Sequence, residues 1–389
     1  MRIAIVLERF EPQRGGLEQW AWQFVQWLST RKQEIHVIAS SFGPGADGLS
    51  IQKHVVELMP GRLDRAAEFE RVLRGLPVDI IHDLGSGYYF DIFHPHFGSR
   101  IVGFRRNLQA LPWPDRIRTV FSSDWRRRYR ELRALERIQY CNKEGVVIAV
   151  SQMVRRHLED LHGVGRDRIE VIYNGVNLER FSPAHRAEHR ETIRAKLGLK
   201  DEILFLLVAH NFALKGVNTA LEAMRRLKLA GRDAHLAVVG RGRLGEYREL
   251  TRRLEIDQCV TFCGPAEAIE PYFAAADAYV HPTYYDPCSL TVLEALASGL
   301  PVITTKFNGV TELMTSGVNG FVVADPRDAK QIAARMEMLF DEKLRSEIGR
   351  ASRILAQAHA FENSFESILS LYEREAQRKR AKEPANGSS

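Results

Sequence analysis

Apolar positions follow two alternating periods along the chain. Short, nearly continuous apolar runs predict buried strands, and longer stretches with an apolar residue every three or four positions predict amphipathic helices. Because the two patterns alternate almost from end to end, the sequence predicts an α/β protein built on parallel sheets. The strand-like runs lie at residues 2–8, 34–40, 79–82, 90–93, 145–151, 168–173, 203–210, 234–243, 260–264, 278–282, 301–305 and 320–325.

The chain is too long for one ordinary hydrophobic core. Its 389 residues suit two α/β domains, and the turn Asn174-Gly175 and the break Ser182-Pro183 interrupt the pattern between two strand–helix series. We therefore predict a first domain at residues 1–175 and a second at 176–360. A last helical pattern covers residues 361–379, and the polar tail at 380–389 is predicted to be disordered.

Composition narrows the class of protein. With 45% hydrophobic and 27% charged residues, the chain has the profile of an ordinary soluble protein. The apolar run at the N-terminus ends at Glu8 and is too short for a signal peptide or a membrane span, so the cytoplasm is the expected compartment. Four cysteines give no disulfide framework, and no Cys/His spacing or D-x-D pattern predicts a metal site.

One strand–loop–helix–strand unit carries the main candidate site. It reads AYVHPTYYDPCSLTVLEALASGLPVITT, in which Ser289 is the predicted N-cap of a helix that carries Glu294 and ends at Gly299. A helix that starts after a parallel strand points unpaired N–H groups and a positive dipole end at the ligand side of the sheet. The amides of Ser289, Leu290 and Thr291 are therefore predicted to bind phosphate.

Three further stretches that directly follow predicted strands hold candidate ligand-binding residues. Lys215 stands at a strand-to-helix turn, where an ammonium can reach a diphosphate. Gly15-Gly16 lies between the first strand and helix, although a loop that needs positive φ explains a glycine pair equally well. His94 and His96 follow an aromatic strand and suit contact with a sugar or phosphate; the alternative is two histidines that bond loop carbonyls.

The carboxylates Asp286 and Glu294 do not form the catalytic pair of a glycoside hydrolase. Eight residues of helix would separate them by about 12 Å, whereas a retaining hydrolase needs about 5 to 5.5 Å. They fit better as two hydrogen-bonding points along one nucleotide sugar, with Glu294 on the ribose and Asp286 on the sugar.

The unit Asp286-x7-Glu294 followed by A-x-A-x-G-x-P-V resembles the family 4 glycosyltransferases. These are retaining enzymes of GT-B architecture, in which two Rossmann-like, doubly wound domains face each other across a cleft and a C-terminal helix crosses back to the first domain. The resemblance implies transfer of a hexose from a nucleotide sugar, and by analogy with the family the nucleotide is expected to be UDP. It also implies that no metal or other cofactor is needed. It also implies closure of the two domains around the donor, with Lys215 and the helix start stabilising the departing diphosphate.

The resemblance also assigns roles by position. His96, or else His94, would contact the donor sugar, with Lys215 and Asp286 as the other catalytic candidates. Gly240 would lie under the nucleotide, and the backbone near Phe262 would pair with the base. The donor-binding set implied in this way is Gly15, Gly16, Asn211, Lys215, Gly240, Phe262, Asp286, Ser289, Leu290, Thr291 and Glu294.

The chain departs from the family pattern at several positions. Asp286 replaces a glutamate, Ser289 replaces a glycine, and His210 and Asn211 stand where an arginine is expected. These departures leave open an alternative, a non-catalytic GT-B protein that binds a nucleotide. A nicotinamide dehydrogenase is excluded because G-x-G-x-x-G is absent after the first strand.

Residues 98–137 are rich in arginine and aromatic residues. They hold eleven arginines against four acidic residues, an excess of seven positive charges, whereas the whole chain carries +6. Such a segment suits an anionic membrane surface or a phosphate-bearing glycolipid or glycan acceptor; a solvated helix face is the alternative. No nucleic-acid-binding motif accompanies it, so we expect no nucleic-acid partner.

In this segment and in the GGLEQ, KGV and YYD stretches the chain resembles, more loosely, the glucosyltransferases of lipopolysaccharide core assembly. That likeness implies a peripheral enzyme on the inner face of the membrane.

Overall fold

The computed structural model describes residues 1–142 and 144–382, which form two parallel sheets flanked by helices. The strands are β1 Arg2–Val6, β2 Glu34–Ala39, β3 Gln52–Val55, β4 Ile80–Asp83, β5 Ile92–Phe93, β6 Val146–Ala149, β7 Ile169–Val171, β8 Ile203–Val208, β9 Ala234–Val239, β10 Val260–Gly264, β11 Ala278–His281, β12 Val302–Thr305 and β13 Phe321–Val323.

The helices cover the faces of these sheets or connect their strands. They are α1 Gly16–Ser29, α2 Arg62–Leu73, α3 Arg100–Gln109, α4 Trp113–Phe121, α5 Ser123–Cys141, α6 Gln152–His162, α7 Arg186–Lys196, α8 Val217–Leu229, α9 Leu244–Arg253, α10 Glu270–Ala275, α11 Leu290–Ala297, α12 Ala329–Met338, α13 Glu342–Gln357 and α14 Phe361–Lys382.

The first sheet has the order β3-β2-β1-β4-β5-β6-β7, and its strand pairs are parallel. In β1 the side chains from Ile3 to Val6 are fully buried, as a near-continuous apolar run in a parallel sheet requires. The sequence pattern missed only β3, because this edge strand is partly exposed and polar from Gln52 to His54. The α/β prediction is confirmed.

The C-terminal helix α14 packs on helix α1 beside the first sheet, as the fold class predicted. Phe365 is fully buried against Trp20, Phe24 and Trp27 of α1, with ring centroids 4.9 to 5.6 Å apart. Further along, the Tyr372 hydroxyl lies 2.5 Å from His82 Nδ1. The helix continues to Lys382, so residues 380–382 are helical and not part of a disordered tail. The remainder of the predicted tail, 383–389, lies outside the described residues.

The second sheet has the order β10-β9-β8-β11-β12-β13, again with parallel pairs. Its strand order therefore reverses between β8 and β11, which are neighbours in the sheet although they are the first and fourth strands of the unit. Ligands of open α/β sheets bind at this reversal, beyond the carboxyl ends of the strands. Lys215 follows β8 and Asp286 follows β11, so the fold places both candidates at that point.

The described chain folds as two compact units. The first contains Met1–Val102, Thr119–Tyr173 and α14 from Glu362, and the second contains Gly103–Arg118 and Asn174–Phe361. The main part of the second unit begins at Asn174, the first residue of the Asn174-Gly175 turn.

Candidate functional site

Two loops meet at the reversal point of the second sheet. The amide of Tyr284, after β11, donates to the carbonyl of Leu214, after β8, at 2.8 Å. Gly216 adopts φ +73°, and a Cβ there would come within 2.0 Å of the Pro282 carbonyl oxygen. Glycine is therefore required at this position by both conformation and space. The close contact fixes Lys215 beside the loop that carries Asp286.

The carboxylate of Asp286 lies at the centre of this site. Its Oδ2 accepts a hydrogen bond from Lys215 Nζ at 2.5 Å and one from His281 Nε2 at 3.1 Å. Burial alone would raise the pKa of Asp286, but the Lys215 ammonium and the His281 hydrogen bond outweigh burial and hold the pKa well below its usual range. Asp286 is therefore ionised and positions the ammonium of Lys215.

Sequence reasoning missed His281, the last residue of β11. Its side chain is fully buried, and burial lowers its pKa, so the ring is neutral and donates from Nε2 to the ionised Asp286. The signal was available, because the strand-end argument applied to His96 applies equally to His281. Behind it, the Tyr279 hydroxyl lies 3.4 Å from His281 Nδ1 and donates to Thr291 Oγ1 at 2.8 Å.

Helix α11 begins as predicted. The Ser289 hydroxyl accepts a hydrogen bond from the Val292 amide at 3.4 Å, which confirms it as the N-cap. The Ser289 amide is partly engaged, since it donates to Asn308 Oδ1 at 3.4 Å. Within the described residues no acceptor bonds the amides of Leu290 and Thr291. These two N–H groups, at the positive end of the helix dipole, remain available for an anion.

Glu294 is half-buried on α11, and its buried Oε2 has no hydrogen-bond partner in the part of the chain that the structure describes. Burial raises the pKa of Glu294 to about 7; the nearby Arg180 charge opposes that rise and the Glu270 charge adds to it. A buried carboxylate oxygen without a donor costs free energy, and such groups cluster at ligand sites. Glu294 thus has an unfilled hydrogen-bonding capacity.

The remaining candidates of the second unit lie on the loops after β8, β9 and β10. Asn211 Nδ2 donates to Asn107 Oδ1 at 3.0 Å, so part of its capacity is already used. Gly240 has φ +131°, and a Cβ there would lie 1.8 Å from the Ala209 carbonyl oxygen. Phe262 is half-buried and stacks on Phe212 with centroids 6.1 Å apart.

In the first unit the glycine pair begins helix α1. Gly15 is the N-cap with an extended backbone, and Gly16 is the first helical residue. The Glu18 carboxylate lies over this end, with Oε2 3.1 Å from where a Cβ of Gly15 would stand, and burial raises its pKa. The helix start that the sequence predicted to face phosphate therefore already has an acidic group beside it.

The two candidate histidines stack on each other with centroids 3.9 Å apart. His94 is 1% exposed, and both of its ring nitrogens are buried without a partner among the described residues. Burial holds the pKa of His94 well below its usual range. His96, whose ring centroid lies 4.2 Å from that of Trp20, keeps part of its surface exposed, whereas His94 does not.

Comparison with known proteins identifies the chain. A family model described as Glycosyltransferase Family 4 matches residues 14–180, and one described as Glycosyl transferases group 1 matches residues 189–354. Together the two matches span most of both sheets and include Lys215, Asp286 and Glu294. The chain belongs to the family 4 glycosyltransferases.

Relatives of this glycosyltransferase include full-length and partial matches. An uncharacterized glycosyltransferase of Methanocaldococcus jannaschii is 24% identical over 96% of the chain and 98% of its own length. The lipopolysaccharide glucosyltransferase WaaG of Escherichia coli is 28% identical, over 53% of the chain and 56% of its own length. A D-inositol 3-phosphate glycosyltransferase of Mycolicibacterium smegmatis is 25% identical over 95% of the chain and 88% of its own length.

Solved structures show that this glycosyltransferase has the GT-B fold. The crystal structure of WaaG superposes with a TM-score of 0.79 at 22% identity, covering 95% of this chain and 99% of WaaG. HepE of Anabaena, solved in complex with UDP-glucose, superposes with a TM-score of 0.74 at 19% identity, covering 96% and 100%.

Two further features concern metals and membranes. Among the described residues of this glycosyltransferase, one trio of potential metal ligands comes together within 4.8 Å, and it lies around the start of α7, outside the predicted donor-binding set: His185, Glu188 and His189. None of the helices in the described part of the chain is both long and apolar enough to span a bilayer.

Proposed function

We propose that this glycosyltransferase transfers a hexose, with retention of configuration, from a UDP-linked donor to a membrane-associated glycan or glycolipid such as the lipopolysaccharide core. The observation that carries the donor half is the strand reversal, where Lys215 is ion-paired with Asp286 just ahead of α11. That helix carries two open amides at its start and the Glu294 carboxylate, whose Oε2 has no donor among the described residues. An ammonium and helix N–H groups suit a diphosphate, and a buried carboxylate suits ribose hydroxyls.

The donor diphosphate is proposed to lie against the start of α11. Lys215 Nζ has three donors and Asp286 uses one, so two remain for phosphate oxygens. Asp286 acts here chiefly as the group that orients Lys215, while its second oxygen is the candidate contact for the donor sugar. His281 holds Asp286 in this orientation and is a positioning residue.

In this scheme the reaction passes through an oxocarbenium-like transition state while negative charge grows on the departing diphosphate. The ammonium and the amides of Leu290 and Thr291 stabilise that charge, so activity is expected without an added metal ion or another cofactor. Turnover retained in the presence of a chelator tests this part of the scheme.

The first domain is proposed to serve the acceptor, with Gly16 and His96 as candidate donor contacts on the strength of the family resemblance. His96 is preferred to His94 because only His96 keeps an exposed surface.

Membrane association is proposed to use helix α4 and the arginines that follow it. None of the α4 residues is buried, and Trp113, Ile117 and Phe121 are 70%, 41% and 71% exposed. Their spacing of four residues places them on one face of the helix. Exposed arginines follow directly in α5, so the segment can insert aromatic side chains at the headgroup level of an anionic bilayer.

Replacing both Trp113 and Phe121 with serine is expected to weaken binding to vesicles that contain phosphatidylglycerol by about 10-fold or more. The reason is that two aromatic side chains would no longer leave water on binding. Vesicle co-sedimentation measures the effect, with pure phosphatidylcholine vesicles for comparison. Leu229→Ser, which alters an equally exposed residue at the end of α8, is the matched control and should bind like the wild type. If the Trp113/Phe121 double variant and Leu229→Ser bound the phosphatidylglycerol vesicles equally well, the assignment of this face of α4 to membrane binding would be contradicted.

The transferase reaction is tested by supplying UDP-glucose, UDP-galactose and UDP-N-acetylglucosamine with and without lipopolysaccharide core acceptors. We expect UDP release that depends on the acceptor, and a product whose anomeric configuration by NMR matches that of the donor. Saturable nucleotide binding without turnover across the panel would favour the alternative, a non-catalytic nucleotide-binding protein. That alternative has specific support in Asp286, Ser289 and the missing arginine.

A further inference from the structure

The candidate diphosphate site is short of positive charge. Lys215 brings one ammonium to the strand reversal, and that ammonium is already paired with Asp286 at 2.5 Å. His281 is neutral, since burial lowers its pKa. The pair therefore has no net charge, whereas a departing nucleoside diphosphate gains negative charge as the glycosidic bond breaks.

The residues that replace the expected arginine do not restore this charge. Asn211 is neutral, and the pKa of His210 is lowered by burial and by the charges of Arg241 and Lys215. His210 is therefore close enough to Lys215 and to Arg241 for both charges to act on it. Arg241 is the second of these cations.

The loop after β9 carries Arg241 past the end of β8, one of the two strands at the reversal. β9 pairs with β8 up to Val208 and Val239, and the Ala209 amide donates to the Val239 carbonyl at 2.8 Å. The close approach of Gly240 to the Ala209 carbonyl, which no larger residue would permit, then sets Arg241 beside His210.

Arg241 is also exposed and uncommitted. Within the described residues no carboxylate pairs with it, whereas its neighbour Arg243 bonds Glu246 at 3.2 Å. Its guanidinium is therefore available to bind an anion.

We propose that Arg241 supplies the second positive charge for the donor diphosphate, in place of the arginine that the family carries after the preceding strand. The inference rests on the proposed function, because it assigns a further ligand of the same diphosphate. The guanidinium would contact phosphate oxygens and stabilise the charge that grows on them during transfer.

Arg241→Ala is expected to weaken binding of UDP by about 10- to 100-fold, since a charge-assisted contact is lost. Binding of uridine, which has no phosphate, should stay within about twofold of the wild type. Isothermal titration calorimetry with both probes measures the difference. The salt dependence of UDP binding should also be less steep in the variant, because one charge fewer takes part.

Two variants make the test specific. Arg243→Ala removes an arginine from the same loop that is paired with Glu246, and it should bind UDP like the wild type. His210→Arg in the Arg241→Ala background places the cation where the family carries it, and it should recover most of the lost affinity. A structural role for Arg241 would not predict such recovery from a neighbouring loop.

The outcomes separate this inference from the function on which it rests. If the wild type binds neither UDP nor a UDP-sugar, the proposed function is overturned. If the wild type binds UDP and Lys215→Ala weakens binding, while Arg241→Ala does not, only the assignment of Arg241 is wrong. Equal losses of UDP and uridine in Arg241→Ala would likewise overturn it, because the effect would then not depend on phosphate.

Discussion

Lys215→Ala is expected to lower kcat/KM for sugar transfer by about 100- to 1000-fold, the usual effect of removing one group that stabilises charge in a transition state. Asp286 holds the ammonium on the loop that leads into α11, where the leaving diphosphate is proposed to sit, and two of the N–H donors of Lys215 remain for phosphate oxygens. The loss is measured as the rate of UDP release and of sugar transfer at saturating donor and varied acceptor concentration. Most of it should fall on kcat, because the charge develops only as the bond breaks.

The variant also leaves Asp286 buried without its cation, so a loss of folding must be separated from a loss of chemistry. The double variant Lys215→Ala with Asp286→Asn removes both charges and should melt at a higher temperature than Lys215→Ala while remaining as inactive. Lys228→Ala, at the far end of α8, is the control and should transfer sugar normally. Wild-type turnover by Lys215→Ala would overturn the role given to this residue.

Glu294→Gln is expected to stabilise the free protein at alkaline pH and to weaken nucleotide binding by about 100-fold. The folded state raises the pKa of Glu294 from 4.5 to about 7, so it binds this proton more tightly than the unfolded chain does. Stability is therefore highest below the unfolded pKa and falls as the pH rises towards the folded pKa. Above pH 7 the ionised Glu294 carboxylate lowers the free energy of unfolding by at most about 3 kcal/mol, and a glutamine at this position avoids that loss.

Thermal melting of the wild type and Glu294→Gln at a series of pH values measures the first effect, and UDP titration measures the second. The two melting curves should coincide near pH 4, separate between about pH 4.5 and 7, and stay a constant distance apart above pH 7, with the variant more stable. Glu342→Gln, which alters an exposed residue at the start of α13, should follow the wild type throughout. A variant that is less stable at pH 8, or one that binds UDP normally, would contradict the role assigned to Glu294.

Local features of the site were predictable because they depend on neighbouring residues. Ser289 caps a helix whose apolar positions follow it directly, and that helix begins and ends within two residues of the prediction. The alternation of strands and helices was equally local, and it identified both sheets. The sequence pattern did not predict edge strand β3, because its residues are mostly polar and form no apolar run.

Contacts between distant segments were not predictable in this way. Asp286 and Lys215 are 71 residues apart, and the sequence assigned one to the sugar and the other to the diphosphate, without the ion pair between them. The buried neighbour His281 and the approach of Arg241 depend on which strands lie side by side. The sequence kept His94 as the second choice after His96, and only the packing against α1 showed that His94 is enclosed.

The sequence by itself determined the two-domain α/β architecture, the capped start of helix α11 and the family, because periodicity, caps and motif spacing are properties of short stretches. The tertiary structure alone decided which charges are free and which are neutralised. The physical reason is that charge compensation and burial depend on distances across the sheet, and strand order, which brings β8 beside β11 and β9 beside β8, sets those distances.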